Sequence, residues 1–295
     1  MGSTKHTRTL RTALVVLGIT SLIVAAGFTL RVFPFAEMWP LGDTLAVDYF
    51  LGAYLAGVGA SLLWIGVSGD MRAIVAGALS LTVLYASLAI AWFALSFGVT
   101  PVLRPPAFLC GAAALFSGGL ALWFRRYSFR DAQPLPRLVS VAFVAYILML
   151  AFVGGALLLR TPYVFPLPLG PAAAALIGSA FLGSTAYFLY SIRFPLWRNA
   201  CAQLWGFLAY DLALILPLVS RLGSADAARR PALILNIAVL VISGALAIYF
   251  LLIAPATRVW SGSPARKVSE AAPLKAMGVA TRKTASLVSA RLAAK

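Results

Sequence analysis

Runs of about 20 residues almost free of Asp, Glu, Lys and Arg divide this sequence, and their length constrains the fold more than any other feature, because a helix of that length crosses a bilayer. Eight such runs occur, at 12–30, 49–69 extended back to 45 across Asp48, 73–97, 105–124, 138–159, 169–192, 199–220 and 231–254. The seventh is interrupted by Asp211 alone. Pro34, Pro40, Pro101, Pro105, Pro106, Pro162, Pro166, Pro168 and Pro195 fall at the expected helix ends, where a missing N–H costs least. Composition agrees: of 295 residues, 62% are hydrophobic and 11% charged. A soluble chain is about half apolar and about a quarter charged. The reading is an all-α, polytopic integral membrane protein with about eight transmembrane helices. A secretory signal is the alternative for the first run, since Lys5, Arg8 and Arg11 precede it and Ala25, Ala26 and Gly27 close it. The run is long for a signal core, which favours a resident span.

Orientation follows from the basic residues in alternate loops. With the N-terminus in the cytoplasm, that side holds 18 of the 24 Lys and Arg residues, including eight in the tail, and the other side holds 6. Both termini are therefore expected to be cytoplasmic. Arginine outnumbers lysine, 19 to 5, and alanine is abundant, which fits a bacterial inner (plasma) membrane as the location.

Sliding the chain against itself reveals an internal repeat at an offset of 126 residues. Pro40, Leu41, Ala46, Gly52, Gly57, Ala60, Leu63, Arg72, Ala76 and Leu88 recur as Pro166, Leu167, Ala172, Gly178, Gly183, Ala186, Leu189, Arg198, Ala202 and Leu214, ten identities in residues 39–90. That is about twice what Ala- and Leu-rich segments share by chance. The expected organisation is a cytoplasmic N-terminal arm 1–11, a first four-helix membrane repeat 12–124, a basic cytoplasmic linker 125–137, a second repeat 138–254 and a basic cytoplasmic tail 255–295. An even number of spans per repeat inserts both halves in the same sense. The natural cavity then lies between them, around spans two, three, six and seven. Ala53 with Gly57, and Ser179 with Gly183, carry the small-residue spacing of close helix packing, which makes spans two and six inner helices.

Asp211 is the sharpest single residue. It lies near the middle of span seven, where a charge costs at least about 2.5–3.5 kcal/mol. It must face protein or water, or stay protonated. The functional reading is a proton, cation or substrate-binding acid, and the bland one is a neutral acid hydrogen-bonded to a neighbouring helix. Gln203 and Phe207 lie on nearly the same helix face. The repeat counterpart is Tyr85, so a site here is asymmetric. Glu37, Asp43 and Asp48 cluster at the outer end of span two as a candidate outer vestibule for cations, or as solvated groups with Asp48 favouring the helix dipole. Arg72 and Arg198 follow two short cytoplasmic hairpins. They read as anchors that snorkel to headgroups, or as contacts to anionic lipid or a partner's acidic loop. Trp39, Trp123, Trp197 and Trp260 sit at expected membrane boundaries, as aromatic belts do. The tail beyond Thr257 holds eight basic residues against Glu270, a composition that binds anionic headgroups or serves as topogenic charge. Nucleic acid is not an expected partner, since no aromatic residues interleave those charges.

The single histidine, His6, lies outside the spans, and Cys110 and Cys201 lie in different spans near opposite faces. No haem, zinc or disulfide follows from them. No phosphate loop, Ser/His/Asp set or paired carboxylates on one face occur, so no cofactor and no enzymatic activity are expected. The first functional reading is a non-catalytic structural or interaction subunit of a membrane complex, with a partner membrane protein or a second copy. The alternative is a transporter of a small apolar or cationic solute, with its site between the repeats near Asp211.

Overall fold

The computed structural model describes residues 2–35, 44–98, 100–129 and 133–257. Glu37, Trp39, Asp43, Asp131 and the tail, with Trp260, lie outside the described residues. Each apolar run forms one helix: α1 Gly2–Thr29, α2 Thr44–Ser68, α3 Ile74–Ser96, α4 Arg104–Phe124, α5 Arg137–Leu158, α6 Pro171–Arg193, α7 Trp197–Val219 and α8 Arg230–Ile248. A single π-helical stretch, Tyr249–Ile253, continues α8. Among the described residues there is no strand, only an isolated bridge between Pro134 and Leu196.

All eight helices are long and apolar enough to cross a membrane. Proline opens α4, α6 and α8 at their first positions, where its fixed φ suits the first turn. α1 and α5 end alike. Arg31 and Arg160 take positive φ of 54° and 58°, while Val32 N–H donates to the Gly27 carbonyl and Thr161 N–H to the Ala156 carbonyl. These are Schellman caps built on arginine instead of glycine. The arm 1–11 is helical, as α1 already starts at Gly2. No proline interrupts it, and Arg11 is tied to α2 by bonds of 3.0 Å to the Gly66 carbonyl and 2.6 Å to that of Val67.

The helices pack as two rows. One runs α1, α2, α7, α8 and the other α4, α3, α6, α5, each helix against its neighbour in the row. Every main pairing has a counterpart four helices along: α1 on α2 matches α5 on α6, α3 on α4 matches α7 on α8, and α2 on α7 matches α6 on α3. α6 and α2 are the most buried of the eight.

Two close crossings explain why small residues sit where they do. A Cβ added at Gly57 would lie 3.1 Å from the Gly206 carbonyl oxygen of α7, and one at Gly183 would lie 2.6 Å from that of Ser80 in α3. Backbones this near admit no side chain between them. The two contacts correspond at the 126-residue offset, Gly57 to Gly183 and Ser80 to Gly206.

One end of the bundle gathers the short hairpins. Leu135 N–H donates to the Pro195 carbonyl and Trp197 N–H to that of Gln133, both at 2.8 Å, so the α4–α5 connector lies along the α6–α7 turn. Gln133 also donates 2.6 Å to the Ala256 carbonyl. Trp197 is only 4% exposed, packed near Phe250 at 6.4 Å, instead of forming part of an interfacial belt. The connector covers it.

The outer faces are apolar. Leu115, Leu159, Leu216, Phe152 and Ile90 are largely exposed, an arrangement that water would not tolerate over so wide a surface. With eight spans of this kind, the fold points to a polytopic helical membrane protein.

Candidate functional site

Between the two rows lies a cavity of about 620 Å³ lined by side chains from all eight helices. Its walls are mainly apolar and aromatic. Around Phe50 of α2 gather Tyr54 at 5.9 Å, Phe181 of α6 at 5.8 Å and Tyr210 of α7 at 6.4 Å. Tyr146 of α5 lies 5.4 Å from Phe207 of α7, and both pack on Phe188. Edge-to-face and offset pairs of this kind hold rings in fixed orientation, so the walls are preformed.

Among the residues lining this cavity the only charged side chain is that of Asp211. It is 5% exposed. The span places it at mid-helix, and α8 supplies its partner, Ser243, whose Oγ lies 2.7 Å from Asp211 Oδ2. Gly244 of the same helix also borders the carboxylate, where a Cβ would stand in ordinary contact with Oδ2 at 3.4 Å. The Ser243 oxygen also lies 2.9 Å from the Val239 carbonyl and 3.2 Å from that of Leu240. A hydroxyl has one proton to give. If Ser243 donates to Asp211, the carboxyl can be charged or neutral; if it donates back into its own helix, Asp211 must carry the proton and donate to Ser243. The phenols of Tyr146 and Tyr210 lie within electrostatic reach of the same carboxylate. The arrangement can therefore hold a proton or meet a positive charge.

Gln203 and Phe207, expected on the Asp211 face, line the same cavity. Tyr85, the repeat counterpart of Asp211, is not among the lining residues and packs instead against an apolar cluster that includes Phe50, Leu84, Leu88 and Ile177. Ser243, Tyr146 and Tyr54 escaped the sequence reading. A lone hydroxyl inside an apolar run carries no signal until the partner helix is known.

The other candidates are engaged elsewhere. Asp48 is fully buried in the second turn of α2, and its Oδ2 accepts a 3.2 Å bond from Arg31 Nε. It makes an ion pair with the end of α1 instead of a dipole interaction alone. Arg72 donates to the carbonyls of Arg125 and Tyr127 and lies over the Phe129 ring. Arg198 Nη1 stands 3.6 Å from Asp70 Oδ2. Both guanidinium groups are thus committed to the chain's own loops. Cys110 is half-buried and Cys201 buried, both as free thiols.

Among the described residues, no group of three or more His, Cys, Asp or Glu side chains could hold a metal. Comparison with known protein families, curated proteins and solved structures finds no match for this chain.

Proposed function

We propose that this chain is a multi-pass carrier of the bacterial inner membrane, with both termini cytoplasmic, which holds a small apolar or cationic solute between two related four-helix halves beside Asp211. The observation that carries this reading is the cavity itself: about 620 Å³, lined from every helix, with a single acid facing it. A subunit serving only to hold a partner has no use for such a space, whereas small-molecule sites are concave, mainly apolar and of about 300–1,000 Å³.

Three further observations support the details. The row pairing is preserved when each helix is exchanged for the one four places on, as two halves related by an axis along the membrane normal would be. The α2–α7 crossing at Gly57 and the α3–α6 crossing at Gly183 coincide at the repeat offset. Arg11, Arg72, Arg198 and the carbonyls of Arg125 and Tyr127 meet at one end of the bundle, and a basic end faces the cytoplasm.

Native mass spectrometry of the tagged protein, extracted mildly from its own membranes, tests the reading. A bound non-lipid small molecule, lost in Asp211→Asn, is the expected result. A reproducible stoichiometric protein partner, with the cavity empty in every preparation, would overturn it and return the chain to a subunit role.

A further inference from the structure

Resting on the carrier reading, we infer that the solute is a lipophilic organic cation, with its positive centre on Asp211 and its apolar body among the aromatic walls, admitted sideways from the bilayer between α1 and α4.

The chemistry of the walls selects the class. A strongly polar solute would leave its donors and acceptors without partners along Phe50, Phe181 and Phe207, at a cost that such a cavity does not return. A purely apolar solute would fill the space but leave the Asp211 carboxylate facing hydrocarbon. An anion would face that carboxylate directly. No Lys, Arg or His lines the cavity, and the immediate partner of Asp211 is the Ser243 hydroxyl. The missing counter-charge is what an organic cation brings. Ring faces attract a cation as well, and Tyr54, Tyr146 and Tyr210 line the same space.

The route follows from a difference between the two long edges of the cavity. On the α5 and α8 side the lining residues are buried, as Tyr146, Leu240 and Ser243 are, or half-buried, as Met149, Leu150 and Val239 are. On the α1 and α4 side, Leu17, Phe116 and Trp123 line it while remaining 55%, 68% and 53% exposed. Neither α1 with α4 nor α5 with α8 forms an extensive interface, so what sets the α1 and α4 edge apart is the exposure of its lining side chains. Leu17 and Phe116 lie well inside segments long and apolar enough to span the membrane, so their exposed surface meets acyl chains, while Trp123 stands at the boundary. The mouth opens on lipid. A solute with a large apolar body concentrates in the bilayer and reaches such a mouth from within it.

The test uses two probes of nearly equal size and shape and opposite charge, tetraphenylphosphonium and tetraphenylborate, with the full chain in nanodiscs of zwitterionic lipid and empty nanodiscs as background. Saturable binding of the phosphonium, at least ten-fold weaker in Asp211→Asn and retained in Asp211→Glu, with no borate binding above background, is expected. In Leu17→Trp, phosphonium association should slow several-fold. Equal binding of both ions, or no loss in Asp211→Asn, overturns the cationic class while leaving the carrier reading standing for a neutral solute. Binding of neither probe also overturns it, and the native mass spectrum then decides the carrier reading separately. Unchanged association in Leu17→Trp, with affinity intact, overturns the lateral route.

Discussion

Arg198 Nη1 lies 3.6 Å from Asp70 Oδ2, so the first turn of α7 is tied to the turn between α2 and α3, and the second half of the chain to the first. Asp70 is buried, while the Arg198 side chain is about a third exposed. The pair sits at the end of the bundle where the α4–α5 connector is pinned to the α6–α7 turn.

Breaking this tie from the arginine side should be the more costly change. Removing one partner of a fully buried pair costs about 3–5 kcal/mol, and exposure of Arg198 to solvent and headgroups reduces that to about 1–3 kcal/mol. Arg198→Met is therefore expected to destabilise more than Asp70→Asn. The double variant should lose less than the sum, as read in a reversible SDS unfolding titration. Strict additivity would show that the two side chains are not energetically coupled.

The α3–α6 crossing should tolerate no added volume. Gly183→Ala places a Cβ 2.6 Å from the Ser80 carbonyl oxygen, an overpacking that costs about 1–3 kcal/mol. Gly57→Ala, whose Cβ would sit 3.1 Å from the Gly206 carbonyl oxygen, should cost less. Gly119→Ala meets nothing within 4 Å and should be neutral or gain up to about 1 kcal/mol of helix propensity. The order of melting temperatures, Gly119→Ala above Gly57→Ala above Gly183→Ala, checks the crossing geometry.

Asp211→Asn should fold and express near normally, because an amide can still bond to Ser243. What it loses is charge. Binding of a cationic probe to the native protein should weaken as pH falls and Asp211 takes up a proton, whereas the Asn variant should show weak binding with no such dependence. A pH profile surviving unchanged in the variant would remove Asp211 from the site.

Outside the spans, Asp226 holds the start of α8. Its Oδ1 accepts the Arg229 N–H at 2.9 Å and its Oδ2 lies 2.7 Å from Arg229 Nη1. The backbone N–H of Arg229 first, and its guanidinium second, hold this carboxyl below the usual carboxylate range. A depressed folded value contributes stability above the unfolded pKa, and that contribution disappears as pH falls through the folded one. The melting-temperature difference between the native protein and Asp226→Asn should be constant above about pH 5 and shrink below about pH 4. A difference that grew on acidification would contradict the bonding seen here.

The sequence by itself determined the spans, because twenty uncharged residues in a row have few stable places other than a bilayer, and a helix is the simplest way to satisfy their backbone there. Each of the eight runs became one helix, and the small residues at 57 and 183 fell at close crossings, since only their absence of bulk permits them. The mid-span position of Asp211 was equally legible, as a buried charge must be answered by something. Its answer was not. Ser243 lies 32 residues away in sequence, and only the packing of α8 on α7 brings its hydroxyl to the carboxylate. The same holds for Arg31 with Asp48 and Arg198 with Asp70. In the sequence Arg198 reads as an interfacial anchor, because a charge pattern reports depth in the membrane and not which neighbour stands across the gap. The cavity, its aromatic walls and its mouth between α1 and α4 belong wholly to the tertiary structure. They depend on which helix faces which, and helices apolar all round carry no periodicity to say so.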